Sequence, residues 1–183
     1  MTRATVDDVT RIRANDKEPS STELVALGPP PSAWDDVRLQ KLWLGVERRE
    51  WRSLAVLGAS ASVETIQLSE LLAQLAWRYR GQASGVFDLR DLGMRLVDYH
   101  VREMQAKVES GIRLVVSLRS IFENPTAASI AKQTDAVLLC IVLGRTSFKS
   151  AEETIAVVGH DRIVGSIVLS RRAPTNHSTN GQW

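Results

Sequence analysis

Cysteine is almost missing from this chain: Cys140 stands alone, so no internal disulfide can form, and its setting in AVLLCIVLG reads as a small core residue rather than a nucleophile. A reducing compartment fits that usage. No segment reaches the roughly 20 consecutive apolar residues of a membrane-spanning helix, and the opening MTRATVDDVTRIRANDKEPSS lacks the apolar stretch of a signal peptide. The expectation is a cytoplasmic protein that inserts into no membrane and reaches the inner membrane only through a partner. Charge of one sign is also lacking, with 23 Lys and Arg against 21 Asp and Glu, so whole-chain balance gives no reason to expect nucleic acid as a partner. The three histidines, His100, His160 and His177, are scattered and have no acidic or cysteine neighbour at ligand spacing, so neither a metal site nor a cofactor is expected.

At 183 residues with 44% hydrophobic and 24% charged side chains, the chain suits one globular domain. Residues 1–31 are expected to be a flexible segment ending in the stiff Gly28-Pro29-Pro30-Pro31 linker, 32–172 the folded unit, and 173–183 a flexible tail. Ser32 can cap a helix over 33–49 that turns Trp34, Val37, Leu42 and Val46 to one side. Beyond it, short apolar runs alternate with longer amphipathic stretches, the pattern of a parallel sheet covered by helices. Strands are predicted at 53–58, 85–89, 112–118, 135–143 and 162–170, and helices at 63–79, 92–108, 126–133 and 148–158. In the second helix Ile66, Leu71, Leu72, Leu75 and Ala76 face inward and Gly81 ends it. DAVLLCIVL, the most apolar run, is expected in the sheet centre. Five strands with crossovers imply an α/β fold: a three-layer sandwich around a doubly wound, mainly parallel sheet.

The segment TAASIAKQTDAVLLCIVLGRTSFKSAEETIAVVGHDRIVGSIVLSR carries Asp135, Gly144, Thr146 and Gly165 where a characteristic strand, turn and final strand place their markers. In this it resembles the C-terminal half of the MinD/ParA-like P-loop ATPases, and especially the bacterial tyrosine kinases and polysaccharide chain-length ATPase domains. The resemblance spans about residues 33–171 and implies a P-loop NTPase fold. It also implies an oligomerisation motif on the first helix, where Asp35, Arg38 and Lys41 stand in place of a Glu-x-x-Arg-x-x-Arg pattern. That trio equally suits a solvated helix face. Trp34 and Trp43 beside it are interface candidates or simply helix packing.

The sharpest signatures of that family are altered. Its phosphate loop, Gly-x-x-x-x-Gly-Lys-Ser/Thr, reads here Gly58-Ala59-Ser60-Ala61-Ser62-Val63-Glu64-Thr65. Val63 replaces the second glycine and Glu64 the lysine, and no lysine occurs between Lys41 and Lys107. A carboxylate about 4 Å from a phosphate charge repels it by about 4 kcal/mol at an effective dielectric of about 20. Glu64 could instead serve the free amides opening the next helix. Where the resemblance expects the aspartate of a Walker B strand, IRLVVSLRSIF offers Ser117, with Arg119 at the expected proline. Asp88 matches the first Asp of the hDxDxR strand, but Arg90 replaces the second and would favour an acidic neighbour over a metal. Ser170 stands at a position that is often Asn. Asp88 reads first as a turn or cap residue and second as a pocket remnant, while Ser60 and Ser62 suit loop and cap service.

With no catalytic residue assigned, the vestigial pocket comprises Gly58, Ser60, Ser62, Glu64, Thr65, Asp88 and Ser117. The expectation is a degenerate, catalytically inactive member of that ATPase class, a binding or assembly component of a membrane-linked exopolysaccharide machine. Its partner would be itself, an active paralogue or the cytoplasmic part of a membrane polysaccharide co-polymerase. Two alternatives stand beside this: an ATPase or protein kinase drawing a lysine or arginine from elsewhere, and a MinD/ParA-like spatial regulator. The only tyrosines, Tyr79 and Tyr99, leave the tail without an autophosphorylation cluster.

Overall fold

The computed structural model describes residues 9–13, 37–61 and 63–170. Its centre is a six-stranded sheet in which every pairing is parallel. The strands are β1 (Val9–Arg13), β2 (Ser53–Gly58), β3 (Ser84–Asp88), β4 (Arg113–Leu118), β5 (Ala136–Val142) and β6 (Ile163–Leu169), arranged β1-β3-β4-β2-β5-β6. Helices α1 (Val37–Val46), α2 (Ile66–Arg80), α3 (Val97–Glu109), α4 (Thr126–Ala131) and α5 (Phe148–Val158) complete the sandwich. Parallel strands cannot be joined by hairpins, so helical crossovers cover both faces and the middle strands are buried on both sides.

Alternation along the strands divides the core in two. Leu54, Val56, Val86, Val115, Leu138 and Cys140 pack under α1 and α2, while Ala55, Leu57, Phe87, Leu114, Val116 and Val137 pack under α3, α4 and α5. Each fully buried leucine or valine contributes roughly 1.5–3 kcal/mol relative to exposure. Cys140 is fully buried, and burial pushes its thiol up to about 12, in keeping with an inert core residue.

Several boundaries and placements differ from the sequence reading. A sixth strand, Val9–Arg13, pairs with β3 from within the segment expected to be flexible; its β-branched VTRIR suits a strand, but five residues are too few for a clear period. The apolar run of β5 is not central: β4 and β2 hold the middle, and the last two residues of β5 are only half-buried. Helix α1 buries Trp43 and Val46 as an inward face, yet Val37 is exposed rather than inward, because the buried stripe runs through the helix's second half. In α2, Ile66, Leu72, Leu75 and Ala76 are buried as expected, with Leu71 half-buried. Gly81 closes that helix at φ 63, a left-handed conformation that an L side chain resists, and its amide donates to Trp77 O.

Asp135, a marker of the family resemblance, acts as a stitch between β2 and β5. Its Oδ2 accepts from the amides of Arg52 at 2.8 Å and Ser53 at 2.9 Å and from Ser53 Oγ at 3.1 Å. Burial opposes ionisation, but the two amides and the hydroxyl together hold its pKa below the ordinary aspartate value. A depressed carboxylate contributes stability above its unfolded pKa of about 3.9 and loses it as pH falls through the lower folded value. Asp135→Asn should therefore lower the urea unfolding free energy by about 1 kcal/mol at neutral pH, with the gap closing on acidification through the carboxylate range.

Candidate functional site

The carboxyl ends of β2, β3, β4 and β5 converge where the strand order reverses, the position at which open α/β sheets bind ligands. The loop from Gly58 to Thr65 and the start of α2 form its floor. In place of a hollow there is an apolar side chain: Val63 is 5% exposed and belongs to the core under α1 and α2. A methyl group on Gly58 would stand only 3.0 Å from Val63 Cβ, so glycine is required there by Val63's close approach. The loop is folded onto itself.

Thr65 retains the hydroxyl expected at its position, but that hydroxyl is wholly buried and engaged. It donates to Leu118 O at 2.9 Å and lies 2.9 Å from Ser117 Oγ, which therefore donates to it. Ser117 is also the register partner of Asp88, so Thr65, Ser117 and Asp88 lie side by side at the ends of β3 and β4. Ser60 does not join them; its Oγ lies 2.8 Å from Thr146 Oγ1, which accepts from the Val142 amide at 2.9 Å. Thr146 sits in a turn whose Gly144 has φ 75, which accounts for a Gly and a Thr at this spacing. Ser62 lies outside the described residues.

Charge decides what this site can accept. The Arg90 guanidinium grips Asp88 with both ends of its fork, Nε to Oδ1 at 2.9 Å and Nη2 to Oδ2 at 3.0 Å, and extends Nη1 to Glu64 Oε2 at 3.0 Å. Asp88 is 6% and Arg90 14% exposed in their side chains, so this pair is shielded from water. The Asp88 hydrogen bond is the main cause holding Arg90 further into its protonated form, against the pull of burial. Arg119 extends the chain of pairs, with Nε 2.8 Å from Asp91 Oδ1 and Nη1 4.0 Å from Glu123. Two arginines thus face Glu64, Asp88, Asp91 and Glu123, an excess of two negative charges.

The expected role of Glu64 needs correction. Its carboxylate is two-thirds exposed and reaches outward to Arg90, and Thr65, not Glu64, takes the cap position of α2 with no side-chain cap bond. The pull of a guanidinium outweighs that of the helix end. Of the interface residues, Arg38 and Lys41 are exposed on α1, whereas Trp43 is 5% exposed, stacked on Tyr79 with centroids 6.1 Å apart and edge-on to Trp51 at 6.3 Å. Trp43 is therefore core, because α1 needs a large side chain to fill the space over α2; Trp34 and Asp35 lie outside the described residues. The Arg119, Asp91 and Glu123 chain was missed. Its only sequence signal is the charge placed just beyond two strand ends.

No family model matches this sequence, and no curated protein matches it. Among solved structures, the kinase domain of Escherichia coli tyrosine kinase ETK is similar with a TM-score of 0.63 and 14% sequence identity, covering 92% of this chain and 92% of that one. At this identity the likeness concerns the fold: the chain has the α/β architecture of a P-loop kinase domain.

Replacing Arg90 by alanine leaves Asp88 buried beside a lost partner and should destabilise the protein by about 3 kcal/mol. Arg90→Lys should recover only part of this, since an ammonium cannot occupy both carboxylate oxygens and Glu64 in one plane. Chemical denaturation of the two variants beside the parent checks the order.

Proposed function

We propose that this is a catalytically inactive P-loop-like protein that serves as a binding or assembly component, and that it fulfils this role beside a membrane-linked exopolysaccharide synthesis or export machine. The observation carrying the reading is Arg90, whose guanidinium bridges Asp88 and Glu64 across the place where phosphate and metal charges would be received. An active site of this architecture offers cations to phosphate and a free carboxylate to the magnesium shell. Here the nearby cation is committed to two carboxylates, the remaining hydroxyl is buried, and the loop interior is filled by Val63. An ATPase drawing a cation from elsewhere finds its nearest candidate in Arg90, and using it would expose the Asp88 charge inside the fold.

The polysaccharide setting is supported by the sequence resemblance, and the assembly role by an inert site on the scaffold of a kinase domain. The partner is a second copy, an active paralogue or the cytoplasmic part of a membrane co-polymerase, received on the α1 face that carries Arg38 and Lys41. Among the described residues no helix is long and apolar enough to cross a membrane, so contact with such a machine would run through protein.

Calorimetry with ATP and magnesium should give no magnesium-dependent saturable binding up to about 1 mM, a threshold equivalent to about −4 kcal/mol. Tight binding that needs magnesium would restore the enzymatic reading. For assembly, Arg38→Glu combined with Lys41→Glu should shift the mass measured by light scattering toward the monomer, or abolish capture of the co-polymerase's cytoplasmic segment, without changing the melting temperature.

A further inference from the structure

The opposite end of the sheet carries the reverse charge. Because all strands are parallel, their amino ends share one edge, and there a cleft of about 730 Å³ opens between α2, α4 and the starts of β2, β4, β5 and β6. Arg49, Arg52, Arg80, Arg113, Lys132 and Arg162 line it, against Glu50, Asp135 and Asp161. Glu47, just outside the lining, takes Arg80 and Arg113 as ion-pair partners. Counting it, the cleft retains an excess of two positive charges.

Its wall also holds buried polar atoms without a hydrogen-bond partner among the described residues, both donors and the acceptor Glu47 Oε1, although that oxygen lies 2.9 Å from Arg113 Nη2 as an ion pair. Arg113 is more than nine-tenths buried, held by Nε and Nη2 on Trp51 O at 3.1 and 2.8 Å, with its guanidinium carbon 4.0 Å above the Trp51 ring. Yet Arg113 Nη1 and Trp51 Nε1 are buried with no hydrogen-bond acceptor among the described residues. Unsatisfied buried N–H groups each cost about 1–3 kcal/mol, and two in neighbouring residues of one wall are satisfied most simply by an acceptor entering from the cleft. Among the described residues Arg49 and Arg162 donate to the backbone carbonyls of Asp161 and Thr134 and form no ion pair with a carboxylate. Asp135 is engaged by the Arg52 and Ser53 amides and the Ser53 hydroxyl.

We propose that this cleft is a binding site for a small phosphorylated solute, distinct from the vestigial phosphate loop and about the full length of the strands away from it. The volume lies within the roughly 300–1,000 Å³ of small-molecule sites. Two excess positive charges match the dianion of a phosphate ester or an oligophosphate, and the arginine forks suit its geometry. A nucleobase is not part of the ligand: among the described residues the one aromatic side chain in the lining is Trp51, over whose ring Arg113 already lies at 4.0 Å, so that face offers no stacking platform. Gln82, Gln133 and Thr134 supply neutral polar groups for hydroxyls, such as those of a sugar phosphate.

Titration calorimetry on the full 183-residue chain, at low ionic strength and without magnesium, uses pyrophosphate in one arm and a hexose monophosphate in the other. Saturable binding is expected below about 1 mM in at least one arm, and the stronger arm distinguishes an oligophosphate from a phosphate ester. Lys132→Gln and Arg52→Gln, both exposed and outside the core, should each weaken it about tenfold, the loss of one charge-assisted contact. Arg145→Gln removes the same charge from the other end of the sheet and should leave binding unchanged. No saturable heat in either arm overturns the proposal. Binding that survives both cleft substitutions, or that falls equally with Arg145→Gln, overturns it as well. Omitting magnesium separates the result from nucleotide binding at the phosphate loop.

Discussion

The Arg90 guanidinium, closed on Asp88 and extended to Glu64, sets the character of the carboxyl end of this sheet. A doubly wound parallel sheet gathers its strand ends and a helix amino terminus at one place, which in nucleotide enzymes is neutralised by a bound phosphate and metal. In this chain an internal cation meets internal anions there. The pair is shielded, bidentate and bound to a strand end, so moving Arg90 aside would strand a buried carboxylate. Val63 and Thr65 follow the same logic: the loop packs a side chain into its interior, and the hydroxyl that could face a metal faces Leu118 O and Ser117. Among the described residues Ser60, Glu64, Thr65, Asp88, Arg90 and Ser117 each have a protein partner for their side chains.

Much of the fold was legible because parallel sheets leave strong marks. The runs at β2, β4 and β5 are continuous because both faces are buried, and the helices between them show a single apolar stripe, so their order and approximate limits could be read directly. Val9–Arg13 could not be read this way. Five residues at a sheet edge carry little periodicity, and what fixes them is the ladder to β3, a contact across more than seventy positions. The placement of β5 failed for a related reason: apolarity reports burial on two faces, which β5 enjoys one strand away from the centre as well as in it.

The candidate site was legible where it departed from a motif and illegible where it created something new. Glu64 in place of lysine and Ser117 in place of aspartate were visible as substitutions. That Arg90 would prefer acidic neighbours was readable from its charge, but that one of them would be Glu64, twenty-six positions away, depends on how the loop folds over Val63. Trp43 shows the ambiguity of aromatic residues: an interface anchor and a core residue have the same composition, and only the stacking on Tyr79 and the edge contact with Trp51 separate them.

The two ends of the sheet are physically related. Strand dipoles contribute little net field, so each end takes its potential from the side chains placed there. Arg52, Arg113 and Arg162 stand immediately before or at the first residue of their strands, and Lys132 closes α4 just ahead of β5. Asp88, Asp91 and Glu123 follow the strands that lead to the other end. Arg90, Arg119 and Arg145 also follow strands, and Glu50, Asp135 and Asp161 precede them, so both ends carry both signs; cations outnumber acids in the cleft, and acids outnumber cations in the network around Arg90 and Arg119. The parallel topology that the chain shares with the kinase domain of Escherichia coli tyrosine kinase ETK also gathers Arg49, Arg52, Arg113, Lys132 and Arg162 at the end opposite the Gly58–Thr65 loop, where an incoming anion meets attraction instead of the repulsion of Glu64 and its neighbours.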